Sequence, residues 1–250
     1  MKSIVCVKRV PDTETRVRIA GDGGSIDPSG VKFVLNPYDE FAVEAGLRHK
    51  EQAGSGEVVV VTAGGSESAE TLRTALAMGA DSAVLVKTDG KVEGLAAARV
   101  LAEEIRGREY DLVLFGVRAI DDDLQAVGPM VAELLGIPCA TAVTEFSVED
   151  GKVVAQREVE GGTEVMELRL PCALTLTKGA YEPRYASLKG IMAAKKKPLE
   201  EKPAQGAGGG APAEQKLSYP PERQAGRIVG EGADAVPELV RLLREEAKIL

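Results

Sequence analysis

The sequence predicts an α/β fold: a doubly wound, mostly parallel sheet with an antiparallel hairpin extension and a tethered C-terminal helix. Strand and helix patterns alternate over the first 140 residues, which is typical of such a sheet. The strand segments there are continuous aliphatic runs, as expected of strands buried on both faces. Beyond residue 140 the pattern changes to alternating polar and apolar residues, which indicates antiparallel strands with one wet face.

The first half supplies the parallel part of the sheet. We predict buried strands at residues 4–7, 57–62, 82–87 and 111–115. Asn36 followed by Pro37 marks the start of the first helix, because Asn is a favoured N-cap and Pro fits the first helical position. Further helices are predicted at 66–78, at 95–105 and before Gly136. Residues 17–19 and 31–34 flank a glycine-rich turn, which predicts an inserted β-hairpin.

The second half divides into a meander, a linker and an arm. The Asp150-Gly151 turn predicts a hairpin between residues 145–148 and 153–158, followed by strands at 163–170 and 173–177. Residues 198–216 are rich in Pro, Gly and Ala, so they are predicted to be a flexible linker after a domain at 1–197. The arm, 217–250, ends in an amphipathic helix at 235–250, which needs its own domain or a partner to pack on.

Composition excludes several classes of protein. The net charge of −8 gives no general attraction for nucleic acid. No apolar run reaches 18 residues, so membrane insertion is not expected, and with no leader pattern we expect a cytoplasmic protein.

Cys6, Cys139 and Cys172 are too scattered for a metal site or disulfide framework. His49, the sole histidine, lies in a polar helix end and is predicted to face solvent. No nucleophile–base pattern is present.

Ligands of open α/β sheets bind outside the carboxyl ends of the strands, so the loops there are candidates for a site. Ala63-Gly64-Gly65 is small enough to let a flat ligand approach the backbone, although a simple tight turn explains it equally. It matches neither dinucleotide nor P-loop fingerprints. Asp121-Asp122-Asp123 precedes a helix start. The aspartates could brace a phosphate-binding loop, compensate the helix dipole or hold a metal, and these readings stay open.

Five segments in register resemble the β (small) subunit of electron transfer flavoprotein, over about the whole chain. They are Cys6-Val7-Lys8-Arg9-Val10, Leu35-Asn36-Pro37-Tyr38-Asp39-Glu40, Arg73-Thr74-Ala75-Leu76-Ala77-Met78-Gly79-Ala80-Asp81, Ala119-Ile120-Asp121-Asp122-Asp123 and Glu182-Pro183-Arg184-Tyr185-Ala186-Ser187-Leu188, the last followed by Ile191-Met192.

The resemblance implies an electron carrier without catalysis of its own, built on a sheet of the adenine-nucleotide-binding type. Its partner would be an α subunit that holds most of the FAD. Electrons would arrive from acyl-CoA dehydrogenases and related flavoenzymes and leave towards a quinone oxidoreductase. The β subunit of this family buries a structural AMP. Some members place a flavin-facing tyrosine near Thr13, so a flavin contact from this chain is not implied.

The resemblance also implies two sets of site residues. The positions matching AMP contacts are Cys6, Asn36, Pro37, Tyr38, Asp39, Ala63, Ala119, Ile120, Asp121, Asp122, Asp123, Leu124, Gln125, Ala126, Val127, Gly128, Pro129 and Met130. Residues 181–197 match the loop that docks on dehydrogenases, through Glu182, Pro183, Arg184, Tyr185, Leu188, Ile191, Met192, Lys195, Lys196 and Lys197. Leu188 would be its apolar anchor beside a basic patch, although the lysines alone could be an ordinary solvated charge run.

Two alternatives remain. In a bifurcating relative the β subunit binds a second FAD instead of AMP. Leu124 and the extra carboxylate of the aspartate run should crowd a diphosphate, which favours AMP. The other alternative is a stand-alone adenine-nucleotide-binding regulator, against which the long tether and the apolar terminal helix argue.

Overall fold

The computed structural model describes residues 1–90, 92–205, 216–223 and 225–250. Its strands are β1 Lys2–Cys6, β2 Arg9–Pro11, β3 Phe33–Leu35, β4 Glu57–Gly64, β5 Ser82–Lys87, β6 Leu112–Gly116, β7 Cys139–Glu149, β8 Lys152–Val159, β9 Gly162–Arg169, β10 Cys172–Leu176 and β11 Leu199–Pro203. Its helices are α1 Pro37–Ala53, α2 Ser68–Met78, α3 Gly94–Arg106, α4 Val127–Leu135, α5 Leu188–Ala194 and α6 Val236–Glu245.

The predicted doubly wound sheet is confirmed. Within the described residues, the main sheet has the order β11-β5-β4-β1-β6-β10-β7-β8-β9. Strands from β11 to β7 pair in parallel, and β8 and β9 extend the sheet with antiparallel pairs. Helices α1 and α2 pack on one face and α3 and α4 on the other, each over its own aliphatic core. The buried runs in the sequence correspond to strands covered on both faces.

Three local predictions were wrong. Residues 199–203 of the expected linker form the edge strand β11, because their backbone pairs with β5 even though their side chains are polar. The inserted hairpin pairs β2 with β3, whereas Ile19 makes only an isolated bridge with Ile26. His49 is buried rather than solvent-facing, because it stacks on Phe146 with ring centroids 4.0 Å apart.

The C-terminal arm is the least packed part of the described chain. The central part of the predicted linker, residues 206–215, lies outside the described residues. Beyond it, Leu217 donates its backbone N–H to the Gly23 carbonyl, and the Tyr219 hydroxyl accepts the N–H of Ile19. Helix α6 is shorter than the predicted 235–250, and none of its residues is buried. Its apolar residues therefore do not join the core of the sheet.

Candidate functional site

A cleft opens at the carboxyl edge of the sheet, where β1, β4 and β6 end and α3 and α4 begin. Its empty volume is about 730 Å³ when the open space at its mouth is included. Its lining residues are Cys6, Val7, Lys8, Asp39, Ala63, Val92, Glu93, Gly94, Ala97, Leu101, Phe115, Gly116, Val117, Arg118, Ala119, Asp122, Leu124, Gln125, Ala126, Val127 and Gly128. The wall is largely apolar with a few polar groups, which is typical of a small-molecule site.

Asp39 joins the ends of the two central strands. Its Oδ2 accepts the N–H of Lys8, 2.7 Å away, after β1, and its Oδ1 accepts the N–H of Gly116, 3.1 Å away, at the end of β6. Asp39 can reach both because it lies in the first turn of α1, which starts directly above these strand ends. Burial raises the pKa of Asp39 to about 7, against the opposing effect of its hydrogen bonds.

Asn36 and Tyr38 hold the loop that follows β6. Asn36 was expected to cap α1, but its side chain makes no cap hydrogen bond. Instead its amide donates to the Arg118 carbonyl at 2.9 Å and accepts the N–H of Ile120 at 3.2 Å. The Arg118 guanidinium lies over the Tyr38 ring and donates to its hydroxyl. Asn36 and Tyr38 therefore support the wall of the cleft from behind, whereas Arg118, which they hold, lines it.

The three aspartates are paired with two cations. The Lys8 ammonium binds Asp121 and Asp122, each at 2.8 Å, and Asp123 pairs with Arg118 at 2.9 Å. Among the described residues, no cluster of potential ligands fits a metal ion, which removes support for a metal triplet. The aspartates therefore brace the loop through two cations. They precede α4 by several residues and do not cap it, since no side-chain cap hydrogen bond is formed there.

The backbone between the aspartates and α4 is strained. Asp123 and Gln125 have φ angles of 53° and 54°, in the left-handed region that non-glycine residues rarely adopt. Helix α4 then begins at Val127, so its first turn forms part of the cleft wall. Such strain in a well-braced loop is often found at functional sites. The N-terminal N–H groups of α4 and the field of its dipole favour an anion at this end of the cleft.

The structure divides the predicted nucleotide contacts into two groups. Those that line the cleft are Cys6, Asp39, Ala63, Ala119, Asp122, Leu124, Gln125, Ala126, Val127 and Gly128. Those that do not are Asn36, Pro37, Tyr38, Ile120, Asp121, Asp123, Pro129 and Met130. Ile120 and Asp121 instead line a neighbouring groove under residues 12–28. At Gly128 a Cβ would lie 2.6 Å from Thr175, so this glycine lets α4 pack closely against β10.

Sequence reasoning missed the wall formed by the segment after β5. Val92, Glu93, Gly94, Ala97 and Leu101 all line the cleft, and they belong to the start of α3 and the loop before it. The signal was available, because β5 is parallel to β4 and its carboxyl end lies at the same edge. The loops considered followed only the other three strands of the first half.

A second surface lies on the outside of α1 and α2, around the short helix α5. Tyr185, Leu188 and Met192 are 100%, 83% and 71% exposed, and Ile191 is also exposed. Lys195 and Lys196 project at the end of this helix. Four exposed apolar side chains within eight residues form a patch that is unusual for solvent-facing positions and typical of a protein-binding surface.

Not all residues of this predicted loop are available to a partner. Arg184 is engaged by Glu44 and Glu51 of α1. The Lys197 ammonium donates to the Leu76 and Ala80 carbonyls at the C-terminal end of α2, so it caps that helix. Lys197 therefore does not belong with the two projecting lysines. Glu182 is exposed, and Pro183 is partly buried.

A family model for the electron transfer flavoprotein domain matches residues 24–206. The chain is 43% identical over 250 residues to the electron transfer flavoprotein subunit beta of Bradyrhizobium diazoefficiens, with all of both chains covered. It is 41% identical to that of Bacillus subtilis, again over all of both chains, and 38% identical to that of Mus musculus, over all of this chain and 99% of the mouse one.

The chain belongs to the electron transfer flavoprotein β-subunit family. Family membership assigns it to electron transfer within a flavoprotein complex, as a carrier subunit, and implies an α subunit as its partner. It gives no support to the stand-alone regulator considered above. Among the described residues, no helix has both the length and the hydrophobicity needed to cross a bilayer.

Proposed function

We propose that this chain is the AMP-binding β subunit of a heterodimeric electron transfer flavoprotein. In this complex the α subunit holds most of the FAD, and the β subunit docks the enzymes that deliver electrons. The donors are acyl-CoA dehydrogenases and related flavoenzymes, and the acceptor is a quinone oxidoreductase. The observation that carries the proposal is the braced, largely apolar cleft at the carboxyl edge of the sheet.

The cleft suits a nucleoside monophosphate. Cys6, Ala63, Phe115 and Val127 offer apolar surface to an adenine, and burial raises the pKa of the Cys6 thiol, so that it is a neutral group. The first turn of α4 offers N–H groups to one phosphate. Within the aspartate loop, the carboxylates are already paired with Lys8 and Arg118, which limits their repulsion of that phosphate. AMP bound here would supply no redox chemistry and would stabilise the loop that encloses it.

The test is the nucleotide released when the purified heterodimer is denatured. Co-expression with the α subunit should give one AMP and one FAD per heterodimer, separated by chromatography and quantified by absorbance. Two FAD and no AMP would indicate the bifurcating relative instead. A heterodimer with FAD alone would contradict the assignment of the cleft.

A matched pair of variants assigns the AMP to this cleft. Ala97→Met places a larger side chain of α3 against the cleft. Arg99→Met introduces methionine two positions further along the same helix, at a residue that does not line the cleft. We expect Ala97→Met to lose most of its AMP, and Arg99→Met to retain it. Equal AMP content in the two variants would place the nucleotide elsewhere. Gly128 is a poorer position for this test, because its substitution would displace α4.

We further propose that the arm, residues 217–250, packs on the α subunit. Helix α6 carries Leu239, Leu242 and Leu243 without burying any of its residues, so its apolar side chains lack a core. A chain ending at residue 216 should fold but bind the α subunit at least about tenfold more weakly, since each 1.4 kcal/mol of lost contact is a factor of ten. Unchanged affinity in calorimetry would refute this role.

A further inference from the structure

The docking loop, residues 181–197, is fastened to α1 by one buried carboxylate. Glu44 is 2% exposed and accepts four hydrogen bonds. Arg184 donates to it through its backbone N–H at 3.3 Å, its Nε at 2.7 Å and its Nη2 at 3.1 Å. Arg48 donates its Nε to Glu44 at 2.7 Å. A charged acceptor with several donors is the strong form of hydrogen bonding.

The second arginine of this cluster also holds the loop. Arg48 donates its two terminal nitrogens to the carbonyls of Ala180 and Glu182, at 3.1 Å and 3.3 Å. Between those two carbonyls, Tyr181 is buried, and its hydroxyl accepts the N–H of Phe146 and donates to the Phe146 carbonyl. Glu44 thus orients both arginines, one of which belongs to the loop and one of which binds its backbone.

The far end of the loop is fastened to α2. Arg73 donates to the carbonyls of Ala194 and Lys197, and Ala194 is 2% exposed. Between the two ends, α5 rests closely on α2, since a Cβ at Gly190 would lie 2.5 Å from the Ala77 carbonyl. Helix α5 has only seven residues. A helix of this length is not stable alone, so its conformation depends on the contacts that hold its ends.

We propose that Glu44 is a positioning residue for dehydrogenase docking, which fixes the docking loop in its binding conformation before the partner arrives. This inference rests on the proposed docking function of residues 181–197. The side chains of Leu188 and Met192 are 83% and 71% exposed, so the fastened ends of the loop set where they project. Preformed loops bind more tightly because less ordering remains to be done on association.

This role predicts a specific kinetic signature. If the loop samples other conformations, the apparent affinity falls in proportion to the competent fraction. Once docked, the donor and the flavin have the same geometry as before. Glu44→Gln should therefore raise the KM of an acyl-CoA dehydrogenase for the heterodimer by about five- to tenfold, with kcat unchanged. Arg184→Gln should act in the same direction, because it removes the loop's own partner of Glu44.

The experiment uses the intact heterodimer with its FAD. Steady-state reduction gives KM and kcat for wild type, Glu44→Gln, Arg184→Gln and the control Glu70→Gln, which removes the same charge from an exposed position of α2. Hydrogen exchange measured by mass spectrometry reports the mobility of residues 181–197. Faster exchange confined to this loop, together with raised KM, supports the proposal. Leu188→Ala is measured alongside and should raise KM without changing that exchange.

The outcomes separate the two levels of inference. Unchanged KM for Leu188→Ala would refute the docking surface itself. A raised KM for Leu188→Ala with wild-type KM for Arg184→Gln and Glu44→Gln would overturn only the positioning role. So would a fall in kcat with constant KM. Arg184 is about one-third exposed, so its variant decides the matter if the buried Glu44→Gln fails to fold.

Discussion

The cleft and the docking loop of this protein use opposite constructions. In the cleft, the buried side chains of Asn36 and Asp39 bind backbone groups at the end of β1 and at the end of β6 and the loop after it. These hydrogen bonds position the segments that form the wall. In the docking loop, charged groups at the ends hold a short helix that projects apolar side chains into solvent. One site is a cleft whose walls are positioned by buried braces, and the other is a projecting surface made of exposed side chains.

The difference shows which kind of change each region tolerates. The wall of the cleft depends on a few buried hydrogen-bonding side chains, such as Asn36 and Asp39, so the loss of one of them should alter the whole wall. The projecting surface depends on its braces for its position and on its exposed residues for contact, and the exposed residues can change without affecting the fold. Two buried titratable residues, Asp39 at the cleft and His49 beneath the docking loop, allow the two regions to be compared by pH.

Asp39 should make the cleft side less stable as pH rises. Its folded pKa of about 7 lies above the ordinary value of 3.8, so its contribution is full below pH 4 and is lost through pH 7. The loss is on the order of 4 kcal/mol. Urea unfolding of Asp39→Asn against wild type should show the variant gaining relative stability across this range. Asp123→Asn, the same change at an exposed site, is the control. If the unfolding free energies of wild type and both variants changed equally with pH, the raised pKa of Asp39 would be contradicted.

His49 should have the reverse dependence on the docking side. Burial lowers its pKa to about 4, below the ordinary 6.5, so its contribution is full above pH 6.5 and is lost as pH falls through 4. The expected loss is about 3 kcal/mol. In His49→Gln the unfolding free energy should therefore fall less on acidification than in wild type. If the wild-type and variant curves stay parallel between pH 4 and 6.5, His49 is not buried as described.

Leu188 should carry the largest single share of docking. Truncation of an exposed apolar anchor typically costs about 2 kcal/mol, or roughly thirtyfold in affinity. Leu188→Ala should raise the dehydrogenase KM while AMP and FAD contents remain at wild-type levels. Leu95→Ala removes an exposed leucine from α3 and serves as the control. A wild-type KM for Leu188→Ala would remove the docking surface from this account.

The lysines should have the smallest effect and should not act alike. Neutralising Lys195 and Lys196 together to Gln should flatten the salt dependence of the reduction rate, because exposed charges mainly steer association. Lys197→Gln should instead lower the melting temperature, since its ammonium caps α2. Stopped-flow reduction at several salt concentrations and thermal unfolding distinguish the two. A salt response shared equally by all three would show that Lys197 leaves its cap on docking.

The sequence predicted the centre of this molecule better than its periphery. Continuous aliphatic runs located β1, β4, β5 and β6, because burial on both faces requires such runs. The edge strand β11 was missed because polar side chains satisfy an edge as well as a linker. His49 was misplaced because its sequence neighbours are polar, whereas its burial comes from Phe146, about 100 positions away in the chain. Contacts between distant segments leave no local pattern.

The candidate site was also predicted only where local sequence patterns could reveal it. Ala63 and the loop after β6 were found because parallel strands end at one edge of the sheet, whereas Cys6 was named only through the resemblance to the family. The separate roles of Asn36, Arg184 and Lys197 could not be predicted, because each depends on a particular hydrogen-bond partner far away in sequence. Motif residues thus proved to be of two kinds, those that line a surface and those that hold it in place.

Helix α1 connects the two regions from end to end. Its first turn carries Asp39 at the carboxyl edge of the sheet, and its later turns carry Glu44, Arg48 and Glu51 under the docking loop. The cleft and the docking surface consequently lie towards opposite ends of one helix, with no shared mouth. If AMP binds in the cleft and a dehydrogenase at the docking loop, as proposed, the two occupy separate surfaces, and the dehydrogenase can associate and dissociate without the cleft having to open.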